Sequence, residues 1–354
     1  MIVVISKVRI FREFKPIESK SKKKLLIFVF CGFNIYAMRN RLSIFFAAVA
    51  IAVCGSMSAQ DHGWVKYEGN PVFGGPEIGT MFDANVIPQG KAKFNMYVSW
   101  RPESAIALTY SDDGVNWSDP VVVLRNDETS GWEDNLNRSC TLFWNGQYHM
   151  WYTGQARGYS KIGYAVSDDG VNFRRVTKDP VLIPELPHEG FSVMNPYVIR
   201  DEEKGVFRMY YSSGETFEPN VHCVAESVDG IHWKKSPLNP INVAGYGWEQ
   251  DRVGGCEVHR LEDGNYVMFY IGYSDVYTAR IGVAFSKDGI TGWERYEHNP
   301  IVVPDEDTWD ASACYKPTVY RDVENGMWHL WYNGRNGGPE YIGYVYHKGL
   351  DITK

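Results

Sequence analysis

The chain has 354 residues, and its charge is unevenly split: residues 1–59 hold 10 basic and 2 acidic side chains, and the rest holds 26 basic and 41 acidic. An acidic body excludes nucleic acid and anionic membrane surfaces as its natural partners. Hydrophobic residues at 44% and charged residues at 22% exclude general disorder, and nothing after residue 60 approaches the ~18 apolar residues of a membrane span.

The N-terminus reads as an address. Met38-Arg39-Asn40-Arg41 is a short basic start, followed by the apolar run Leu42 to Val53 and the small residues Gly55-Ser56-Met57-Ser58-Ala59. This order is that of a secretory signal peptide cleaved after Ala59. Met38 is then the expected start, 1–37 an upstream extension, and 60–354 a single exported domain, secreted or periplasmic. Lipidation at Cys54 is disfavoured, because Val53 is a poor match to the small residue such a site prefers. Cys140, Cys223, Cys256 and Cys314 are spaced too widely for a zinc knuckle. One or two disulfides and buried free thiols are both open readings.

From residue 100 onward one motif recurs. Ser111-Asp112-Asp113-Gly114, Ser167-Asp168-Asp169-Gly170, Ser227-Val228-Asp229-Gly230 and Ser286-Lys287-Asp288-Gly289 are spaced by 56, 60 and 59 residues. Asp-Gly between apolar runs signals a hairpin turn. Asp179-Pro180-Val181, Asn239-Pro240-Ile241 and Asn299-Pro300-Ile301 follow three of the turns. Aromatic strands precede them, as in Tyr148-His149-Met150-Trp151-Tyr152 and Trp328-His329-Leu330-Trp331-Tyr332, and so do Ile-Gly strands such as Ile162-Gly163-Tyr164-Ala165. Four strands per repeat with no amphipathic helix predict an all-β fold, a five-bladed β-propeller of four-stranded blades. The last repeat lacks its fourth strand. Gly63 to Val72 matches Gly292 to Ile301 nearly position for position, so the N-terminal strand is expected to close the last blade.

The first strand of each blade should line the axis. In register these strands place Asp83, Arg138, Asn195, Glu257 (one pair further along) and Lys316 in one ring. Converging charges lose hydration, so such a gathering points to function. A second recurring feature is Trp132-Glu133-Asp134, Trp248-Glu249-Gln250-Asp251 and Trp309-Asp310. Trp132 and Trp248 could stack on sugar faces, although their repetition favours packing. Arg252 and His259 lie beside the same opening and suit an anionic group.

The repeats, Asp83 in Phe-Asp-Ala-Asn-Val and Glu257 in Gly-Cys-Glu resemble the five-bladed glycoside hydrolases of families 43 and 32 and the family 130 mannoside phosphorylases. The resemblance spans nearly all of 60–354. It implies Asp83 as base or nucleophile and Glu257 as proton donor. The third acid of these families commonly stands in an Asp-Pro; this chain has Asn195-Pro196 there, leaving Asp134 and Asp251 as stand-ins. Glycoside cleavage needs two carboxyls flanking the bond. Arg138 and Lys316 are expected to help keep Asp83 ionised, and enclosure to help keep Glu257 protonated.

The expected activity is an exported glycoside hydrolase acting on a small oligosaccharide or a polysaccharide end. Two alternatives stand beside it. One is a family-130-like phosphorylase or mannosidase, for which Glu133-Asp134-Asn135 only partly matches the Glu-Asp-Pro-Arg acid segment and Arg138, Arg252, His259 and Lys316 would serve phosphate. The other is a non-catalytic glycan-binding propeller, motivated by Asn195. The expected partner is a carbohydrate. No cofactor is called for, and no residue pattern supports a metal ion such as an axial Ca²⁺. The Ser-x-Asp-Gly turns are similar to the Asp-box of sialidases, which implies a structural role for their Asp residues.

Overall fold

The computed structural model describes residues 63–215 and 219–352. The start at Met38, the signal peptide to Ala59 and lipidation at Cys54 fall outside the described residues. The regular structure of the described chain is strand, apart from three single-turn 3₁₀ segments. No helix among them is long and apolar enough to cross a membrane.

The strands fall into antiparallel groups. β1 (Trp64–Lys66) stands alone at the start. β2 (Met81–Ile87), β3 (Phe94–Trp100), β4 (Ala105–Ser111) and β5 (Val121–Arg125) form one meander. The next is β6 (Asn135–Trp144), β7 (Gln147–Ala156), β8 (Tyr159–Ser167) and β9 (Arg174–Arg175). β10 (Ser192–Asp201), β11 (Val206–Gly214), β12 (Pro219–Ser227) and β13 (Lys234–Lys235) repeat the pattern. So do β14 (Arg252–Arg260), β15 (Tyr266–Asp275), β16 (Thr278–Ser286) and β17 (Glu294–Arg295). The last group is β18 (Ala313–Asp322), β19 (Met327–Arg335) and β20 (Tyr341–Lys348). β20 takes β1 as its outer partner, Trp64 opposite His347 and Lys66 opposite Val345.

Three side-chain devices repeat and explain the sequence motifs. First, each Asp-Gly turn is tied by its own Ser and Asp: the Ser111 hydroxyl donates to Asp113, whose carboxylate accepts the amides of Val115 and Asn116. Asp169, Asp229 and Asp288 do the same. Four or more bonds on one carboxylate explain why only Asp serves here. Second, the Asn of Asn-Pro acts as a strand residue. Asn239 bonds both backbone groups of Val224, Asn299 both of Val283, and Asn70 both of Tyr344.

Third, a buried acid before the first strand of every group but β2–β5 binds a cation on the outermost strand: Glu133 to Arg175 at 2.8 Å, Glu189 to Lys235 at 2.7 Å, Glu249 to Arg295 at 2.8 Å and Asp310 to Lys66 at 2.7 Å. A tyrosine hydroxyl completes most of these ties, as from Tyr152 to Glu133, Tyr211 to Glu189 and Tyr332 to Asp310. Lys66 of β1 therefore does for the last group what Arg295 of β17 does for its own.

Neighbouring groups are linked through the aromatic strands. Tyr97 donates to the Gly170 carbonyl, the Trp151 indole to Gly230, and the Trp331 indole to Gly114. Apolar clusters lie between successive groups, for instance Trp331, Tyr344 and Ile342 against Phe94, Met96 and Ala107. Cys140, Cys223, Cys256 and Cys314 are all free and buried, which selects the thiol reading over the disulfide one; burial pushes the Cys140 and Cys256 thiols up to about 12.

Candidate functional site

The inner strands β2, β6, β10, β14 and β18 are each broken by a two-residue bulge at the same place. A bulge re-aims the side chain at its first position. That position holds Asp83, Arg138, Asn195, Gly254 and Lys316 in chain order. The four with side chains have φ of 55°, 53°, 53° and 49°. A non-glycine residue held there costs about 1–3 kcal/mol and persists only where its surroundings enforce it. A polar side chain on the neighbouring aromatic strand holds four of the five bulges: the Asp83 amide donates to Asn333 Oδ1, Arg138 to Ser99 Oγ and Asn195 to Thr153 Oγ1. In β14 the Ser212 hydroxyl reaches the Gly254 carbonyl instead.

Asp83 is 2% exposed, and its Oδ2 has no hydrogen-bond partner. Arg138 Nε lies 3.7 Å from that oxygen. Lys316, also 2% exposed, and Arg101 act on the same carboxylate. Burial pushes the Asp83 carboxyl above its usual range, and Arg138, Lys316 and Arg101 pull it back only in part. Arg138 and Lys316 favour the ionised form as expected, but a carboxylate removed from water loses more than they return.

Asn195 packs against Gly255, where an added Cβ would sit 3.0 Å from its side chain. Its Nδ2 donates to Ser212 at 3.4 Å, and its Oδ1 is buried without a partner. At the level of these bulges β14 presents Gly254, so the ring position expected of Glu257 carries no side chain. Glu257 lies three residues further along, and its Oε2 accepts the Val319 amide at 2.9 Å. Thr318, Asn85 and Cys140 hold the equivalent amides of Val86, Thr141 and Val198. Glu257 is also 3.6 Å from His259 Nε2, which faces the Tyr197 hydroxyl in a cavity lined by Arg200, Asp201, Arg260 and Tyr266.

The remaining sequence candidates are placed differently. Trp132 is only 5% exposed, stacks on Tyr152 at 6.0 Å and covers Gly154 and Gly163. Trp248 covers Gly272 and Gly282 beside Tyr270. Both rings occupy space that glycine vacates on their own sheets, so packing takes the faces proposed for sugars. Asp251 is exposed and pairs with Arg252, which also binds Glu215 at 3.0 Å. Asp134 is half-buried, and its carbonyl accepts from Asn126. No group of three or more His, Cys, Asp or Glu among the described residues is arranged to hold a metal ion.

The structure adds residues that no repeat motif singles out. Glu340 precedes β20; its carbonyl accepts the Met81 amide at 3.1 Å, and its amide lies 3.4 Å from Thr80 Oγ1. Burial pushes its carboxyl up, Asp83 adds to that, and Tyr315, Arg101 and Arg335 oppose it. Arg101 lies over the Phe82 ring and Arg335 over the Tyr315 ring. Two carboxyls that act on each other's ionisation, with cations beside them, are suited to proton transfer.

Comparison with known proteins agrees with the fold. Solved structures with the same fold include a thermostable family-43 glycoside hydrolase, 20% identical with a TM-score of 0.63 over 78% of this chain and 90% of that one. Another is a family 130 structure whose description names glycoside hydrolases that target beta-1,2 mannosidic linkages in Candida mannan, 14% identical with a TM-score of 0.61 over 80% of this chain and 93% of that one. A 1,2-beta-oligomannan phosphorylase of Thermoanaerobacter sp. (strain X514) is 27% identical over 205 residues, 55% of this chain and 63% of that protein. The chain thus spans less than two thirds of that curated relative. The profile of the glycosyl hydrolases family 32 N-terminal domain matches residues 73–253, more than half of the sequence, and the chain belongs to that family.

Proposed function

We propose that the chain is an exported enzyme that cleaves a glycosidic bond at the bulged ends of its inner strands, with Asp83 as the carboxyl that exchanges the proton. The observation that carries this reading is Asp83 itself: a buried carboxyl with one oxygen unpartnered, held at φ 55° beside Arg138 and Lys316. Burial favours the protonated form before reaction. The cations stabilise the carboxylate left once the proton has moved to the leaving oxygen, where that stabilisation lowers the barrier. Asn195 and Lys316 would hold sugar hydroxyls beside it.

A five-bladed propeller, closed by β1 on the last blade, is the architecture that serves this chemistry. Supporting it, β2 contacts both β6 and β18, β10 contacts both β6 and β14, and β14 contacts β18. Trp331 of the last group binds the first Asp-Gly turn, and Asn333 holds the Asp83 amide. Export rests on the leader ending at Ala59 and places the enzyme outside the cell or in the periplasm.

The acceptor is water in the principal reading. A second reading, phosphorolysis, is favoured by four cations (Arg101, Arg138, Lys316 and Arg335) gathered about Asp83 and Glu340, and by the likeness to the oligomannan phosphorylase. Incubation of the purified protein with β-1,2-mannobiose, with and without phosphate, separates them. Hydrolysis releases mannose without phosphate; phosphorolysis releases mannose 1-phosphate only with it. Binding of oligosaccharides without release of either product from any glycoside would favour a non-catalytic glycan-binding propeller.

A further inference from the structure

We propose that Glu340 is the second carboxyl of the site and takes the proton of the attacking water. This rests on the reading in which Asp83 protonates the leaving oxygen.

Glu340 is far from Asp83 in sequence and adjacent to it in the fold. The Met81 amide and the Thr80 hydroxyl fix its backbone beside the start of β2, two residues before Asp83. Its Oε2 is buried without a hydrogen-bond partner, as is Asp83 Oδ2. Two buried, unpartnered carboxylate oxygens on adjoining segments are costly unless a ligand uses them. The Tyr315 hydroxyl faces Glu340, and Tyr315 immediately precedes Lys316 in the β18 bulge. One bulge therefore supplies a cation toward Asp83 and a hydroxyl toward Glu340.

Glu257 is the competing carboxyl. One of its oxygens is committed to the Val319 amide, in the place where a threonine, an asparagine and a cysteine serve between other inner strands. Three residues of strand carry it about 10 Å along from the bulge level. Its work is to join β14 to β18.

In the proposed step the water oxygen bonds to the anomeric carbon. The bond from that carbon to the leaving oxygen breaks, and its electron pair stays on the oxygen, which takes the Asp83 proton. The water gives its proton to Glu340. Asp83 ends ionised and Glu340 protonated, and exchange with solvent resets both.

The test uses the full chain with β-1,2-mannobiose. Glu340→Gln should lower kcat by about 10³-fold with KM within about threefold, and sodium azide should restore turnover to Glu340→Ala. Glu257→Gln should keep kcat within about tenfold. Should Glu340→Gln fold poorly, Tyr315→Phe should still displace the acid limb of the pH profile. A rise in KM alone for Glu340→Gln would overturn the assignment, as would azide rescue of Glu257→Ala in its place. Wild-type kcat in Glu340→Gln beside an inert Asp83→Asn would end this inference and leave the cleavage reading standing. A wild-type protein that releases nothing would end both.

Discussion

Arg138 Nε stands 3.7 Å from Asp83 Oδ2, and the two residues occupy the same step of the bulge in neighbouring strands, at φ 53° and 55°. Their opposition is a product of strand register as much as of charge. The pH dependence of turnover should follow from it. Asp83 has a raised pKa, so the acid is protonated below that value and kcat/KM falls as pH rises through it, above the ordinary carboxylate range. Removing the cation removes a lowering influence. Arg138→Gln should therefore move the alkaline limb to higher pH while reducing kcat, measured as a kcat/KM profile. With Glu340 so close, the limbs belong to the coupled pair.

Lys66 binds Asp310 at 2.7 Å and Asp305 at 2.8 Å, and Asp310 is 1% exposed. Breaking a buried pair from one side leaves an uncompensated charge. Lys66→Met should cost about 3–5 kcal/mol in denaturant unfolding, and adding Asp310→Asn should recover part of it. A loss below about 1 kcal/mol would remove β1 from its place as the counterpart of β17.

The strand groups were legible because the devices that build them are local. Ser-x-Asp-Gly and Asn-Pro each satisfy backbone groups within or beside one hairpin, so their spacing survives in the sequence. The match of Lys66 to Arg295 carried the pairing of β1 with β20 for the same reason. The bulge residues Asp83, Arg138, Asn195 and Lys316 were legible through strand alignment. Glu257 was set one pair off the ring because Gly254-Gly255 puts no side chain at the bulge, and only geometry shows that Asn195 fills the space. Glu340 was not legible: it has no counterpart in the repeats, and its partners at 83, 101 and 315 meet it only in the fold. Trp132 and Trp248 look alike as stacking platforms or as packing until the glycines beneath them are seen.

The Trp331 indole donates to the Gly114 carbonyl at 2.8 Å, and the Trp151 indole to Gly230 at 2.9 Å. Gly230 also accepts the Trp233 indole, whereas no second indole among the described residues reaches Gly114. Trp331→Phe should therefore destabilise by about 1–3 kcal/mol through the stranded Gly114 carbonyl, and Trp151→Phe by less. Chemical unfolding of the two variants checks this.

Acid should unfold the protein through its turns. Asp113, Asp169, Asp229 and Asp322 have pKa values depressed by the hydrogen bonds they accept, and Asp288 is lowered to about 2. A depressed folded pKa gives stability that is present above the unfolded value of about 3.9 and lost as pH falls through the folded value. Asp83 and Glu340, both raised, act in the opposite direction. The thermal midpoint should therefore drop between about pH 4 and pH 2, and Asp288→Asn should flatten that drop.

The most direct measurement is sugar release from β-1,2-mannobiose by the wild-type protein and Asp83→Asn, with folding confirmed by equal thermal midpoints. The account predicts release by the wild type and a loss of about 10²–10⁴-fold in kcat for the variant, with oligosaccharide binding retained. Equal turnover by the two proteins would contradict it.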